Sequence, residues 1–93
     1  MADASWRSRR LEWVMATLTP EEMRARVAAR IREIARLKGI RMTELPALAG
    51  VSRAHLWDVL SGKASPSLDF LTRVAGGLGV DPGELTRRPK RPR

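Results

Sequence analysis

Three observations predict an all-α fold for this chain of 93 residues. Ala, Leu, Arg and Met are plentiful, whereas there is a single Phe and no Tyr, a composition that favours helix over strand. Nowhere do apolar and polar residues alternate with the period of two that a half-buried strand needs. Apolar residues instead recur three and four apart, in runs that open on Ser or Thr and close on Gly.

The length allows one domain, which buries roughly two thirds of the surface its unfolded chain exposes. So modest a core leaves few residues for a deep catalytic cavity. The absence of cysteine excludes disulfide scaffolds, thiolate nucleophiles and cysteine-ligated zinc. His55 is the single histidine, so carboxylates alone would have to build a metal site, and no cofactor is expected. No apolar run approaches the roughly 20 residues of a membrane span, and the N-terminus lacks a signal-peptide pattern. A soluble, cytoplasmic protein is the expectation. There is no paired-carboxylate motif, no glycine-rich phosphate loop and no nucleophile beside a base, which argues against an enzyme.

Eighteen basic residues against ten acidic ones give a net charge of +8 and an isoelectric point near 11.6. Such a balance points to a polyanionic partner, nucleic acid before an anionic membrane surface. The charge is unevenly placed. Residues 86–93 hold five bases and no acid, while residues 19–85 hold ten bases and eight acids. Most of the excess therefore belongs to a short tail, and the folded part needs a more specific argument. Arginine outnumbers lysine fifteen to three, which the codon usage of a GC-rich genome explains more simply than selection for bidentate contacts.

The first element of the domain opens at Thr19-Pro20-Glu21-Glu22. Threonine caps, proline suits the first helical position, and Glu22 completes a capping box. The stripe then runs Met23, Val27, Ile31, Ile34 and Leu37, with arginines on the other faces as a mostly solvated surface, and stops at Lys38-Gly39. A short helix follows from about Thr43 to Ala49, closed by Gly50. A third runs from Ser52 to Leu60 or Ser61, ended by Gly62. After the turn Ser65-Pro66-Ser67, Ser67 caps a fourth helix with Leu68, Leu71, Val74, Ala75 and Leu78 on one stripe. Gly76-Gly77 weakens its last turn by about 1 kcal/mol per glycine relative to alanine. The final turn Asp81–Leu85 returns Leu85 to the core. Beyond Thr86 no apolar residue remains, and the tail is expected to be disordered. Residues 1–18, with Trp6, Leu11, Trp13, Val14, Met15 and Leu18, form an amphipathic segment. It either pads the monomer core, or meets a second copy or a protein partner, or frays.

The two short helices carry the functional argument. Two helices meeting near a right angle across a tight turn need a residue at positive φ, here Gly50, and small or apolar contacts, here Leu45, Ala49 and Val51. The second helix must bury one stripe, Leu56, Val59 and Leu60, and leave the opposite face free for a major groove. That is a helix-turn-helix.

At this point the chain resembles the phage repressor and Cro-like family, the Xre-type helix-turn-helix regulators. The likeness rests on Gly39-Ile40-Arg41-Met42-Thr43-Glu44-Leu45, then Ala49-Gly50-Val51-Ser52-Arg53, then Ser61-Gly62-Lys63-Ala64-Ser65-Pro66-Ser67-Leu68, with Leu71, Ala75 and Leu78-Gly79-Val80. It covers residues 24–85. The resemblance implies a compact five-helix, lambda-repressor-like domain that dimerises and represses transcription at a palindromic double-stranded DNA operator.

Two positions depart from the pattern. Pro46 stands where relatives carry alanine. Inside a helix it would cost about 3 kcal/mol, so a delayed helix start is expected, with Thr43 as N-cap and Pro46 in the first turn. Met42 stands where relatives often carry a glutamine that binds phosphate, so Arg41 or Thr43 must supply that contact or it is missing.

Carried over by position, the resemblance places Arg53, Ala54, Trp57 and Asp58 on the groove-facing side. Arg53 is the leading base reader, because guanidinium matches guanine O6 and N7. Ala54 either touches a thymine methyl or simply permits close approach. Asp58 accepts from cytosine N4, orients Arg53, or sits clear of the groove. Trp57 covers thymine methyls, packs on the N-terminal tryptophans, or turns into the core. Ser52, His55 and Lys63 are candidates for phosphate, Ser52 with the free N–H groups of the helix start, although His55 equally suits a plain surface or cap position. The reading that follows is a dimeric, sequence-specific repressor. Its rival is an antitoxin or adaptor on the same fold, which would bind a protein through Trp6 and Trp13.

Overall fold

A computed structural model describes residues 18–89. The described residues form four α-helices and one 3-10 turn: α1 (Pro20–Leu37), α2 (Leu45–Ala49), α3 (Arg53–Leu60), α4 (Leu68–Leu78) and the turn Pro82–Leu85. The fifth helix implied by the resemblance is thus a single 3-10 turn among the described residues. Asp81 caps it, its carboxylate accepting from Gly83 N–H at 2.8 Å. The turn then closes through i→i+3 bonds, Glu84 N–H to Asp81 O at 2.9 Å and Thr86 N–H to Gly83 O at 3.2 Å, too short a run to become α-helical.

α1 starts as its sequence dictates. Thr19 Oγ1 accepts from Glu22 N–H at 3.1 Å, and Glu22 Oε1 accepts from Thr19 N–H at 2.9 Å. That reciprocal bond holds the Glu22 carboxyl below its ordinary pKa. Val27, Ile31 and Ile34 are buried, but Leu37, expected on the same stripe, is 68% exposed. It lies in the last turn, one residue before the Lys38 cap, where the helix overshoots the core.

α2 begins later than Thr43. Thr43 is not the N-cap: residues 42–44 form a turn, Glu44 takes the cap position without capping a helical N–H through its side chain, and Pro46 falls in the first helical turn. Arg41 O accepts from both Glu44 N–H at 2.9 Å and Leu45 N–H at 3.2 Å, while Glu44 Oε1 accepts from Arg41 N–H at 3.1 Å. This preceding turn satisfies the backbone ahead of Pro46, whose missing N–H costs nothing there. Met42 packs half-buried against the core.

α4 lies against α2 at close range. A Cβ built on Gly77 would stand 2.9 Å from Ala49 Cα, so glycine there is a packing requirement rather than a weakness. The stripe of α4 holds at Val74, Ala75 and Leu78, which are buried, but differs from expectation at its N-terminal end. Phe70 is buried at 4%, whereas Leu68 is 82% exposed and Leu71 half-buried. Leu68 is the first residue of the helix, directly after the Ser67 cap, and projects outward.

The core is one cluster of side chains from α1, α2, α3 and α4, joined by Leu85 of the 3-10 turn. Ile31, Leu45, Leu56, Leu78 and Leu85 are among its fully buried members, each contributing about 1.5–3 kcal/mol of apolar burial. Arg30 departs from the solvated face assigned to the α1 arginines. It is 8% exposed and donates through Nε to Glu84 O at 2.8 Å and through Nη2 to Glu84 Oε1 at 3.1 Å, with Glu33 as a further partner. Arg26 adds a bond to Thr86 O at 3.4 Å. These arginines fasten the last turn to α1. The N-terminal segment through residue 17 and the tail from residue 90 lie outside the described residues.

Candidate nucleic-acid interface

The interface is built on the turn between α2 and α3. Gly50 closes α2 at φ 69° and ψ 35°, a conformation glycine adopts without the steric cost a Cβ brings. Its carbonyl faces Arg73 of α4, whose Nη1 approaches at 3.5 Å. Ser52 then caps α3, its Oγ accepting from His55 N–H at 3.0 Å.

α3 divides into two faces. Leu56, Val59 and Leu60 are buried, while Arg53, Ala54, Trp57 and Asp58 are exposed. At 3.6 residues per turn those four side chains fall within an arc of about 140°. Trp57 is 44% exposed, so it has not turned into the core. Arg53 and Asp58 form no side-chain ion pair among the described residues. Five positions apart they diverge by about 140° around the axis, which removes the reading in which Asp58 orients Arg53. The Asp58 backbone does have a structural role. Its carbonyl accepts from Lys63 N–H at 2.8 Å, Ala64 N–H at 3.1 Å and Ser61 Oγ at 3.2 Å, pinning the following loop to the end of α3.

The phosphate candidates lie at the turn before α2, at the start of α3 and in the loop after it. Ser52, His55, Arg41, Thr43 and Lys63 are all exposed. Arg41 sits at the turn before α2, its Nε 4.0 Å from Glu44 Oε1, and Lys63 rides on the loop that Asp58 holds. His55 sets its ring edge-on to Phe70, with centroids 4.9 Å apart.

Sequence reasoning missed Arg73. It stands with Ser52, His55, Ser67 and Phe70 around an open cleft of about 370 Å³ between α3 and α4. The caps of both helices border this cleft, and each cap satisfies a single N–H, that of His55 or of Phe70. The earlier N–H groups of the two helices remain available to an anion, where helix dipoles favour negative charge. The carboxylate of Asp69 also lines the cleft and limits its positive potential. Nothing in local spacing announces Arg73, because its partner Gly50 is 23 residues away.

Together these features define a helix-turn-helix whose second helix keeps one face in the core and the other in solvent. The chain belongs to the family described as "Helix-turn-helix domain", whose profile matches residues 16–88. Among solved structures, the restriction-modification controller protein C.AhdI from Aeromonas hydrophila is similar at 29% identity and a TM-score of 0.62, covering 67% of this chain and 94% of that one. A hypothetical transcription factor, NHTF, from Neisseria is similar at 25% identity and a TM-score of 0.69, covering 77% of this chain and 83% of that one. A stretch of 53 residues, 57% of the chain, is 45% identical to mouse 1-phosphatidylinositol 4,5-bisphosphate phosphodiesterase eta-2. The chain spans 3% of that enzyme's length. The resemblance to Xre-type regulators agrees with the family and with both structural neighbours.

Proposed function

We propose that the protein is a sequence-specific regulator of transcription that binds double-stranded DNA as a homodimer, laying α3 in the major groove of a palindromic operator and acting there as a repressor. The observation that carries this reading is the division of α3. One stripe is buried in the core, and the opposite arc presents Arg53, Ala54, Trp57 and Asp58 without a competing intramolecular ion pair for Arg53 among the described residues. The regulatory role is supported by the likeness to a restriction-modification controller and to a hypothetical transcription factor.

In this reading Arg53 takes guanine O6 and N7, Ala54 and Trp57 face thymine methyls, and Asp58 accepts from cytosine N4. Ser52, His55, Arg41, Thr43 and Lys63 hold phosphates on either side and set the register of the helix. Arg73 and the free N–H groups of the α3–α4 cleft add a further phosphate contact. Selection of random duplexes by the purified protein at about 150 mM salt, near physiological ionic strength, tests the proposal. A palindrome whose half-site centres lie about 10–11 base pairs apart is expected. Binding that fades with salt and enriches no sequence would contradict it and turn attention to a protein partner for Trp6 and Trp13.

A further inference from the structure

On the side of α1 facing the α3–α4 loop, Met23, Val27, Pro66 and Leu71 line an apolar groove of about 240 Å³, with Pro20 at one end and Arg24 at its rim. Met23 and Leu71 are packed on the core yet remain partly exposed, so the groove is an open extension of the core among the described residues. We infer that its occupant is the chain's own N-terminal segment, with the indole of Trp13 seated between Met23 and Leu71.

Seventeen residues precede Leu18, and Leu18, half-buried, leads through Thr19 into the Pro20 that forms the groove wall. Trp13 is seven residues before Pro20, a span of up to about 23 Å when extended, enough to fold back over a groove that starts at the tether itself. The segment is apolar where it needs to be, with Leu11, Trp13, Val14 and Met15 close together. The groove is large enough for an indole, since a buried cavity of about 150 Å³ accommodates benzene. Arg24 at the rim offers its guanidinium to the ring face and an opposite charge to Glu12, the neighbour of Trp13. A second copy would have to lose translational and rotational freedom to fill the same space, whereas the tethered segment is present at a local concentration of millimolar order. Docking there would also cover the Ser65-Pro66 end of the loop that carries Lys63.

Fluorescence of the full chain without DNA provides the test, so its outcome is independent of whether α3 reads bases. Trp6→Phe with Trp57→Phe leaves Trp13 as the only indole. The expected result is emission at shorter wavelength than free tryptophan, protection from iodide, and no change on dilution. Met23→Lys should move the emission to long wavelength and remove the protection while far-ultraviolet circular dichroism keeps its helical signal. Ser65→Glu, at an exposed groove-lining position, provides the same readout should Met23→Lys unfold the protein. Free-tryptophan emission in the parent, protection unmoved by either groove substitution, or protection lost on dilution would each overturn the inference, the last by assigning the groove to a second copy.

Discussion

Arg53 and Gly77 show what a single side chain, or the lack of one, decides. Replacing Arg53 with Ala should weaken binding to the selected operator by about 5–150-fold, the equivalent of the 1–3 kcal/mol a bidentate base contact contributes. Binding to random duplex should stay within about twofold, because phosphate contacts carry that affinity. Equal losses on both, measured by titration at fixed salt, would reduce Arg53 to a phosphate ligand. At the other position, Gly77→Ala should destabilise the protein by about 1–3 kcal/mol, since its Cβ meets the Ala49 backbone at 2.9 Å. Gly76→Ala meets nothing within 4 Å and should stabilise by up to about 1 kcal/mol. Urea denaturation of the pair reads the difference directly. The sequence shows two adjacent helical glycines and nothing to distinguish them, because the distinction is made by a helix 28 residues earlier in the chain. The exposed position of Arg53 on α3 was legible through the family resemblance, carried over by position from the start of α3 after Ser52. Arg73 was not, for the reason that hid Gly77.

Helix boundaries were legible wherever a capping side chain marks them. Thr19, Ser52 and Ser67 each accept the expected N–H. α2 was misplaced because its start is set by backbone bonds to Arg41 O, which no side chain signals, although Pro46 did announce that the start is late. Leu37 and Leu68 followed the helical period but lie at helix ends, where periodicity continues past the core. At this scale the capping box yields a pH prediction. Glu22 ionises below its ordinary pKa in the folded protein. Its contribution to stability is therefore full above the carboxylate range and lost as pH falls through the lowered folded value. Amide exchange of the first turn of α1 should quicken on acidification, and Glu22→Gln should blunt that dependence. Unchanged exchange across the same pH range would contradict a role for the ionised carboxylate. Arg30 binds α1 to the last turn through Glu84 and Glu33. Arg30→Ala should cost about 1–3 kcal/mol, a range reduced for the partial exposure of Glu84, and should loosen the Leu85 end of the core in hydrogen exchange.

For the molecule as a whole, the proposed function makes charge and base reading separate devices. The domain is nearly balanced in charge, and the tail from residue 86 holds five of the eighteen bases. Each phosphate neutralised steepens the salt dependence by about 0.9 in log K per log salt. Removing residues 87–93 should therefore flatten the slope by up to about 4 while leaving the selected sequence unchanged. Arg87, already 3.1 Å from Glu84, should contribute least. A changed sequence preference would give the tail a part in reading. The central claim, that α3 reads bases from the major groove through Arg53, is tested most directly by replacing each operator guanine with 7-deazaguanine, which lacks the N7 acceptor, against both wild type and Arg53→Ala. One guanine per half-site should weaken wild-type binding by about tenfold, within the worth of one bidentate contact, and have no further effect on Arg53→Ala. Identical losses in both proteins at every guanine would contradict it.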